Sequence, residues 1–312
     1  AMIPPRPARA ESGMVPGAAR AEAGPPKENA TMTQDEKKEV RISEVERFVL
    51  TKWEEFPSAI SQVKEKYGER EILGQKEKVR ILYRGQPNSA WALNSTLDRF
   101  VPSPWSIEEY AELAIRCAPC IGTFTNREWH LPDLQAIKKE IREKSDGFSP
   151  HIPCYDFWVY LRHHGFPSPL LDWTMSPYIA AFFAFAERGD ADRAIFAYVE
   201  LPKGVKASWR GETKIDVWGP YVHTHKRHFL QQSWYSICTR EDNGSYVFAG
   251  HEDVFRRGDT RQDKLIKIVI PGTERIKALS GLEEMNINHF SLFQSEDALM
   301  RTLAIKEIEM AP

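Results

Sequence analysis

The segment that most constrains the fold is a helix-length run with almost no polar residue. Residues 177–186 have the sequence PYIAAFFAFA, and a helix that is apolar on every side has to be covered on every side. We therefore predict a helix over residues 178–186 that lies beneath a sheet. Ser176 and Pro177 are typical of a helix start, because a hydroxyl caps the free amide groups and proline suits the first helical position.

The residues before this helix, LLDWT at 170–174, predict a short buried strand. This order places Asp172 and Thr174 beside the helix N-terminus, whose unpaired amides and partial positive charge suit an anionic ligand such as a phosphate. The alternative is that Asp172 caps a turn and that Trp173 is an ordinary core residue, as buried aromatic residues commonly are.

An arginine stands at the end of a second predicted strand. Residues 79–86, VRILYRGQ, alternate apolar and polar side chains up to Gly85, which is typical of a strand that ends in a turn. Arg84 in that position suits bidentate binding of a phosphate or a carboxylate, or it forms a structural ion pair. Asp172 needs a positive partner if it lies near a pyrophosphate, and the candidates are Arg84, His163 and His164.

Composition excludes several classes of protein. The formal net charge is -2, with 42% hydrophobic and 28% charged residues, so there is no overall attraction to nucleic acid or to an acidic membrane. No apolar run is long enough to span a membrane, and four cysteines in 312 residues do not indicate a disulfide framework. We expect a soluble cytoplasmic protein without a membrane partner, without a Walker or Rossmann loop, and without a metal site.

Residues 1–39 are expected to form a disordered leader or tag, since the first 31 residues are rich in Ala, Pro, Gly and charge. Residues 40–312 are expected to form one α+β domain, with helices in the first half and strands concentrated in the second. The expected helices cover 106–145, broken at Pro119 and Pro132, then a segment ending at Gly165, and about 273–286. The expected strands are 194–201, 233–239, 264–270 and a final solvated strand in AIKEIEM, 304–310.

Several of these motifs together resemble the FRG domain family, which takes its name from a Phe/Tyr-Arg-Gly motif. The resemblance covers about residues 79–303. Its departures are Ser168-Pro169, where the family usually has Thr-Arg, and Gln294 to Asp297, in place of a Pro-Asp-Leu-Asp type ending. The matching motifs are Tyr83-Arg84-Gly85-Gln86, Trp91, Leu93, Leu97, Arg99, His164-Gly165-x-Pro167, Leu170 to Pro177 with the Ala-x-x-Phe-Ala that follows, Gln231-Gln232-Ser233 and Ser291-Leu292-Phe293.

The FRG layout is similar to the ADP-ribosyltransferase plan, and this implies a split β-sheet core with an N-terminal helical portion and a helical insertion. It also implies NAD as a substrate. Arg84 would hold a phosphate or ribose, Glu296 would be the catalytic carboxylate with Asp297 as the alternative, and Tyr83 or Trp173 would stack on nicotinamide. The residues implied to bind NAD are Tyr83, Arg84, Gly85, Gln86, His164, Asp172, Trp173, Thr174, Ser176, Gln231 and Gln232.

The chemistry gives these residue types a reason. Cleavage of the nicotinamide–ribose bond develops an oxocarbenium-like positive charge, which a nearby carboxylate stabilises in the transition state. The resemblance thus implies an ADP-ribosyltransferase or an NAD glycohydrolase acting on a protein, a nucleobase or water, an activity that would suit a toxin or an antiphage effector. A basic stretch of His225, Lys226, Arg227 and His228 could face such an acceptor.

The alternative function is a non-catalytic module that binds a nucleotide or nucleic acid in the same pocket. The two hypotheses differ in geometry. An enzyme requires Arg84, residues 172–174 and either Glu296 or Asp297 to converge on one cleft, whereas a binding module does not require the carboxylate.

Overall fold

The computed structural model describes residues 45–101, 104–145, 149–204, 211–222, 226–257 and 263–311. The predicted leader, residues 1–39, lies outside this part of the chain, as does His225 of the predicted basic stretch. Among the described residues no helix is long and apolar enough to cross a membrane.

The described residues form an α+β fold in which one large sheet carries helices on its faces. The strands are β1 (Glu46–Val49), β2 (Glu69–Ile72), β3 (Gln75–Lys78), β4 (Ile81–Gln86), β5 (Leu171–Thr174), β6 (Arg193–Val199), β7 (Lys214–Trp218), β8 (Ser233–Asp242), β9 (Ser245–Phe248) and β10 (Lys264–Ile270). The helices are α1 (Phe56–Tyr67), α2 (Ile107–Thr125), α3 (Leu134–Lys144), α4 (Tyr155–His163), α5 (Pro177–Phe185), α6 (Arg227–Leu230), α7 (Arg275–Glu284), α8 (His289–Phe293) and α9 (Glu296–Ala304).

Strand order places β4 and β5 side by side in the middle of the sheet. The order is β1-β10-β6-β4-β5-β8-β7, with β9 paired to β8, and β2 and β3 form a separate hairpin. The β1–β10 pair is parallel, and the other pairs in this sheet are antiparallel. β4 and β5 share the single register pair Tyr83↔Thr174, whereas β4 and β6 share six. The sheet therefore opens between β4 and β5, and we call this opening the seam.

Helix α5 packs directly on β4, and Gly85 makes the contact possible. A Cβ atom added to Gly85 would lie 1.9 Å from the carbonyl oxygen of Ala180 and 2.6 Å from the amide nitrogen of Ala184. Only a glycine leaves room for the helix backbone at this distance. The glycine after Arg84 thus sets the spacing between α5 and the strand that carries the arginine.

Strand β6 shows that the sheet is covered on both faces. Ile195, Ala197 and Val199 pack in the apolar cluster that includes α1, α5 and α7. The alternating residues Phe196 and Tyr198 pack in a second cluster on the opposite face. Because side chains of a strand alternate between faces, a strand covered on both sides is apolar throughout. Helices α2, α3 and α4 build a third cluster against β8.

Most predicted elements are confirmed, and two predictions are wrong. Pro119 lies inside α2 instead of breaking it; its side chain is exposed, and a proline within a helix leaves one backbone carbonyl without its amide partner. The C-terminal segment is a π-helix, Ile305–Glu309, and not a strand. Ion pairs from other elements hold it there, because Glu309 binds Arg188 at 3.2 Å and Lys306 binds Glu283 at 3.1 Å.

Candidate functional site

A cavity of about 450 Å³ opens at the seam, a volume within the range of small-ligand pockets. Its floor is formed by β4 and β5, and its walls come from the end of α4, one side of α5, α6, α8 and α9. The charged and imidazole side chains in its wall are Arg84, Arg162, His163, Asp172, Glu187, Arg227, His289 and Arg301. Arginine side chains outnumber carboxylates in this set, so the cavity favours an anion.

Arg84 lies deep in the protein and lines the cavity. It directly precedes Gly85, the residue of β4 that contacts α5. Its Nη1 donates to the backbone oxygen of Asp172 across the seam at 2.7 Å. Its Nε has no hydrogen-bond partner in the described part of the chain. Burial, together with the charges of Arg162 and Arg99, lowers the pKa of Arg84 to about 10 in spite of Asp172. The guanidinium therefore remains charged at neutral pH and keeps unused donor capacity.

Asp172 is paired with Arg162, an arginine in the last turn of α4. Its two carboxylate oxygens accept from Arg162 Nη2 at 2.5 Å and Arg162 Nε at 3.2 Å, a bidentate geometry. Arg162 Nη1 also donates to Thr96 Oγ1 at 3.1 Å. The expected partner of the carboxylate was Arg84 or a histidine, whereas Arg84 bonds the Asp172 backbone instead.

The electrostatics of this pair are set by burial and by two arginines. Burial alone would raise the pKa of Asp172, but the charges of Arg162 and Arg84 hold it below its ordinary value. The side chain of Asp172 retains 39% of its accessible surface, although protein surrounds it deeply, because that surface faces the cavity. Its negative charge is largely neutralised, which reduces repulsion toward an anionic ligand.

One wall of the cavity is aromatic. Phe183 of α5 lies edge-on to Phe293 of α8, with ring centroids 6.1 Å apart, and Phe182 packs against Phe183 at 5.6 Å. The Arg227 guanidinium lies 5.3 Å from the Phe293 centroid, and the His289 ring packs edge-on to Phe182 at 4.9 Å. A flat apolar surface beside cations suits a base or pyridine ring that is attached to phosphate.

Three polar atoms that line the cavity are buried without a partner among the described residues. They are Tyr83 Oη, Arg84 Nε and His289 Nδ1. Burial raises the pKa of Tyr83 to about 12, so its hydroxyl stays protonated and can donate. Unsatisfied polar groups are rare in protein interiors and cost free energy. Their convergence on one cavity indicates a place where a ligand or water completes the hydrogen bonding.

The structure brings together only part of the set implied to bind NAD. The implied residues that line the cavity are Tyr83, Arg84, Gly85, Asp172, Trp173, Thr174 and Gln231. Trp173 is 3% exposed and donates its Nε1 to Ser236 Oγ at 2.7 Å, so most of its ring belongs to the core. Gln231 Nε2 donates to the Leu292 backbone oxygen at 3.2 Å.

Four of the implied residues lie outside the cavity lining. Gln86 is buried and donates to the Ala92 oxygen at 3.2 Å, and His164 is exposed and packs its ring against Tyr160. Gln232 is exposed, with φ 49°. Ser176 caps α5 by accepting from Ile179 N at 3.3 Å. The cavity follows the side of α5 from Ala180 onward, so the expected anion site at the helix start is not part of it.

The two carboxylates expected to be catalytic are also outside the lining. Glu296 and Asp297 occupy the first turn of α9 and are exposed. They follow the Ser295 cap, whose hydroxyl accepts from Ala298 N at 3.3 Å, and acidic residues in a first helical turn are stabilised by the helix dipole. Glu187, just after α5, does line the cavity, as does Arg301 in the last turn of α9.

The predicted basic stretch does not form one exposed patch. Lys226 is exposed, but Arg227 lines the cavity and His228 is 7% exposed. Both ring nitrogens of His228 are within 2.9 Å of an oxygen, Tyr235 Oη for Nδ1 and the Pro220 carbonyl for Nε2. Burial raises the cost of charging this ring and lowers its pKa. In the part of the chain that the structure describes, no cluster of His, Cys, Asp and Glu is arranged to hold a metal.

Several residues of the cavity wall were not predicted from the sequence. The most informative of these is Arg162, a charged residue next to the apolar run FWVYL of α4, and such a position signals a buried ion pair. Glu187, His289 and Arg301 carried no comparable signal, because they come together only through the packing of α5, α8 and α9.

A comparison with protein-family models assigns the middle of the chain. Residues 79–193 match the FRG domain. The chain carries an FRG domain. No curated protein and no solved structure matches the chain.

The matched residues of the FRG domain include the seam itself. β4, α4, β5, α5 and the first residue of β6 fall within residues 79–193, so Arg84, Gly85, Arg162, Asp172 and Glu187 all belong to the match. The match ends before the later motifs that the sequence resemblance included, Gln231-Gln232 and the Ser291 segment. The wall from α6, α8 and α9 is thus supplied by residues beyond the matched range.

Proposed function

We propose that the FRG domain binds NAD in the seam cavity and cleaves the bond between nicotinamide and ribose, transferring ADP-ribose to a protein or nucleobase acceptor or to water. The observation that carries this proposal is the buried Arg84 guanidinium, whose Nε has no partner in the described chain and which opens into a cavity rich in arginine. A buried cation with an unused donor favours a doubly charged pyrophosphate over a neutral ligand.

The aromatic wall supports the other part of the ligand. Phe182, Phe183 and Phe293 offer the kind of surface on which nicotinamide or adenine stacks. The opening of the sheet between β4 and β5 is the feature expected of an ADP-ribosyltransferase-like split sheet, and it supports that finer assignment of the fold. An activity that consumes NAD would suit a toxin or an antiphage effector.

Glu187 is the carboxylate that the cavity offers for the chemistry. Asp172 is occupied by Arg162 at 2.5 Å, and Glu296 and Asp297 are not part of the lining. Glu187 is exposed at the rim. Burial and the charge of Arg301 lower the pKa of His289, and the charge of Glu187 offsets part of that lowering. We therefore assign to Glu187 the stabilisation of the developing charge on the ribose.

A second function, nucleotide binding without cleavage, is favoured by the positions of Glu296 and Asp297. If the chemistry requires Glu296 or Asp297, their exposed positions in α9 leave a cavity that binds a nucleotide but does not cleave it. The same arginines and aromatic rings would serve that module, so binding and nicotinamide release have to be measured separately.

Replacement of Arg84 by alanine is expected to weaken NAD binding by about tenfold to a hundredfold, because a hydrogen bond to a charged group contributes about 1.5–3 kcal/mol. Isothermal titration calorimetry with NAD and with ADP-ribose checks this. Arg142→Ala is the matched control, since Arg142 is an exposed arginine of α3 outside the cavity. Equal affinities of wild type and Arg84→Ala, with both folded, would contradict the assignment of the cavity.

Glu187→Gln is expected to reduce nicotinamide release by about a hundredfold or more, as removal of one electrostatic contact to a transition state does, with little effect on NAD affinity. Glu296→Gln and Asp297→Asn are matched controls and are expected to stay within about twofold of wild type. Chromatographic detection of free nicotinamide, with and without cell lysate as a source of acceptor, gives the rates. If wild type binds NAD and releases no nicotinamide under either condition, the binding module is the correct function.

A further inference from the structure

A buried arginine, Arg193, joins the segment that carries Glu187 to the end of β4. It is the first residue of β6 and is 1% exposed. Its Nη2 donates to the backbone oxygens of Glu187 at 3.2 Å and of Gly189 at 2.5 Å, and its Nη1 donates to the backbone oxygen of Pro87 at 2.5 Å. Pro87 and Glu187 both line the cavity, so one guanidinium holds two parts of the cavity wall together.

A second buried arginine, Arg275, holds the last turn of α5. It is the first residue of α7, and it donates from Nε to the backbone oxygen of Phe185 at 2.9 Å and from Nη2 to that of Ala186 at 3.2 Å. The last carbonyls of a helix have no amide partner within the helix, and here guanidinium groups take the place of that partner. We call Arg193 and Arg275 the arginine clamp.

Glu309 of the π-helix braces the same segment through side chains. Its carboxylate accepts from Arg275 Nη1 and lies 3.2 Å from Arg188 Nε and Nη2. Burial alone would raise the pKa of Glu309, but the hydrogen bonds from Arg275 and Arg188 hold it below its ordinary value. Because Arg188 directly follows Glu187, the segment is fixed by the clamp through its backbone and by Glu309 through a neighbouring side chain.

The charges of the clamp suit the end of a helix. Burial lowers the pKa of Arg193, as does the charge of Arg275, against the attraction of Asp190. The two cations are therefore close together, where the C-terminal end of α5 concentrates partial negative charge on its backbone oxygens. Since β6 and α7 supply the two guanidinium groups, these packed elements determine where the residues after α5 lie.

Resting on the proposed function, we propose that the arginine clamp positions the Glu187 carboxylate for cleavage of the nicotinamide–ribose bond. Glu187 is exposed at the rim, and a carboxylate on an unrestrained segment would reach the ribose in only a fraction of its arrangements. Holding the backbone on both sides of this residue raises that fraction, which lowers the barrier of the reaction. Neither Arg193 nor Arg275 lines the cavity, so both are positioning residues that act through Glu187.

Hydrogen–deuterium exchange measured by mass spectrometry tests the clamp without any ligand. Arg193→Lys keeps the charge and loses the planar fork, and the peptide that covers residues 182–190 is expected to exchange at least about tenfold faster than in wild type. Arg70→Lys is the matched control, because Arg70 also donates to a backbone oxygen, that of Leu201 at 2.8 Å, and lies outside the cavity lining. Equal exchange of this peptide in wild type and Arg193→Lys overturns the clamp.

Kinetics test whether the clamp acts through Glu187. Arg193→Lys is expected to lower kcat for nicotinamide release by about tenfold, with KM changed by less than about threefold. The double variant Arg193→Lys with Glu187→Gln is expected to be no slower than Glu187→Gln alone, since no carboxylate remains to be positioned. A further loss of about tenfold in the double variant would show that Arg193 acts independently of Glu187, and this overturns the positioning role.

Glu309→Gln is a second variant, which leaves both arginines of the clamp in place. It is expected to speed exchange of the same peptide and to lower kcat by about threefold or more, whereas Glu307→Gln, at an exposed glutamate of the same π-helix, should stay within about twofold of wild type. If Arg193→Lys does not fold, this pair decides, and equal results for the two variants overturn the proposal. Absence of nicotinamide release in wild type overturns the proposed function and the positioning role together, while the exchange data show separately whether the clamp holds the segment.

Discussion

Gly85→Ala is expected to destabilise the FRG domain by about 3 kcal/mol or more, the upper end of what overpacking costs in a filled core. The added Cβ would stand 1.9 Å from the Ala180 oxygen and 2.6 Å from the Ala184 nitrogen. Both are backbone atoms in the middle of α5, so no side-chain rotation relieves the contact. Either α5 moves away from β4 as a unit or β4 leaves the sheet.

The measurement is urea unfolding of wild type and Gly85→Ala, followed by far-ultraviolet circular dichroism. Gly122→Ala is the matched control: Gly122 lies in helix α2, where the atom nearest to the added Cβ would be the Arg127 backbone oxygen at 3.3 Å, and alanine raises helix propensity by about 1 kcal/mol. We expect this control to unfold at the same or a higher urea concentration than wild type. Equal unfolding midpoints for Gly85→Ala and wild type would show that α5 and β4 are not in the contact described.

Asp172→Asn is expected to cost about 2–3 kcal/mol, because it leaves the guanidinium of Arg162, 14% exposed, without its carboxylate partner. Breaking a buried ion pair costs about 3–5 kcal/mol. Because the side chain of Asp172 is partly exposed to the cavity, solvent screens this pair, and the expected cost is at or below the lower end of that range. The double variant Asp172→Asn with Arg162→Met is expected to recover most of the loss, since removing both charges can be close to neutral. Denaturant unfolding of the wild type, the two single variants and the double variant measures the coupling.

The same pair predicts a dependence on pH. The folded-state pKa of Asp172 lies below its ordinary value, so its contribution to stability is fully present above the unfolded-state pKa of about 3.9. It is lost as pH falls through the folded-state value. The stability difference between wild type and Asp172→Asn should therefore be constant from about pH 5 to 7 and should shrink below about pH 4. A difference that stays constant down to pH 3 would exclude Asp172 as the source.

Local patterns predicted the central elements of the site because the information lies within a few residues. The strand before Gly85, the strand that contains Asp172 and the apolar helix after Ser176 are all present, since alternation, capping and helix-long apolar runs are short-range signals. The same signals failed at the C-terminal segment, where ion pairs of Glu309 with Arg188 and Arg275 outweigh the local preference.

The sequence by itself determined that a strand carrying Arg84, a strand carrying Asp172 and a wholly apolar helix directly after it exist. The tertiary structure decided which charges are available to a ligand. Asp172 is paired with Arg162, Glu187 lines the cavity whereas Glu296 and Asp297 do not, and His228 lies inside the protein. These outcomes depend on which distant elements pack together. The side chains in contact are far apart along the chain, so a pattern of neighbouring residues does not predict their pairing.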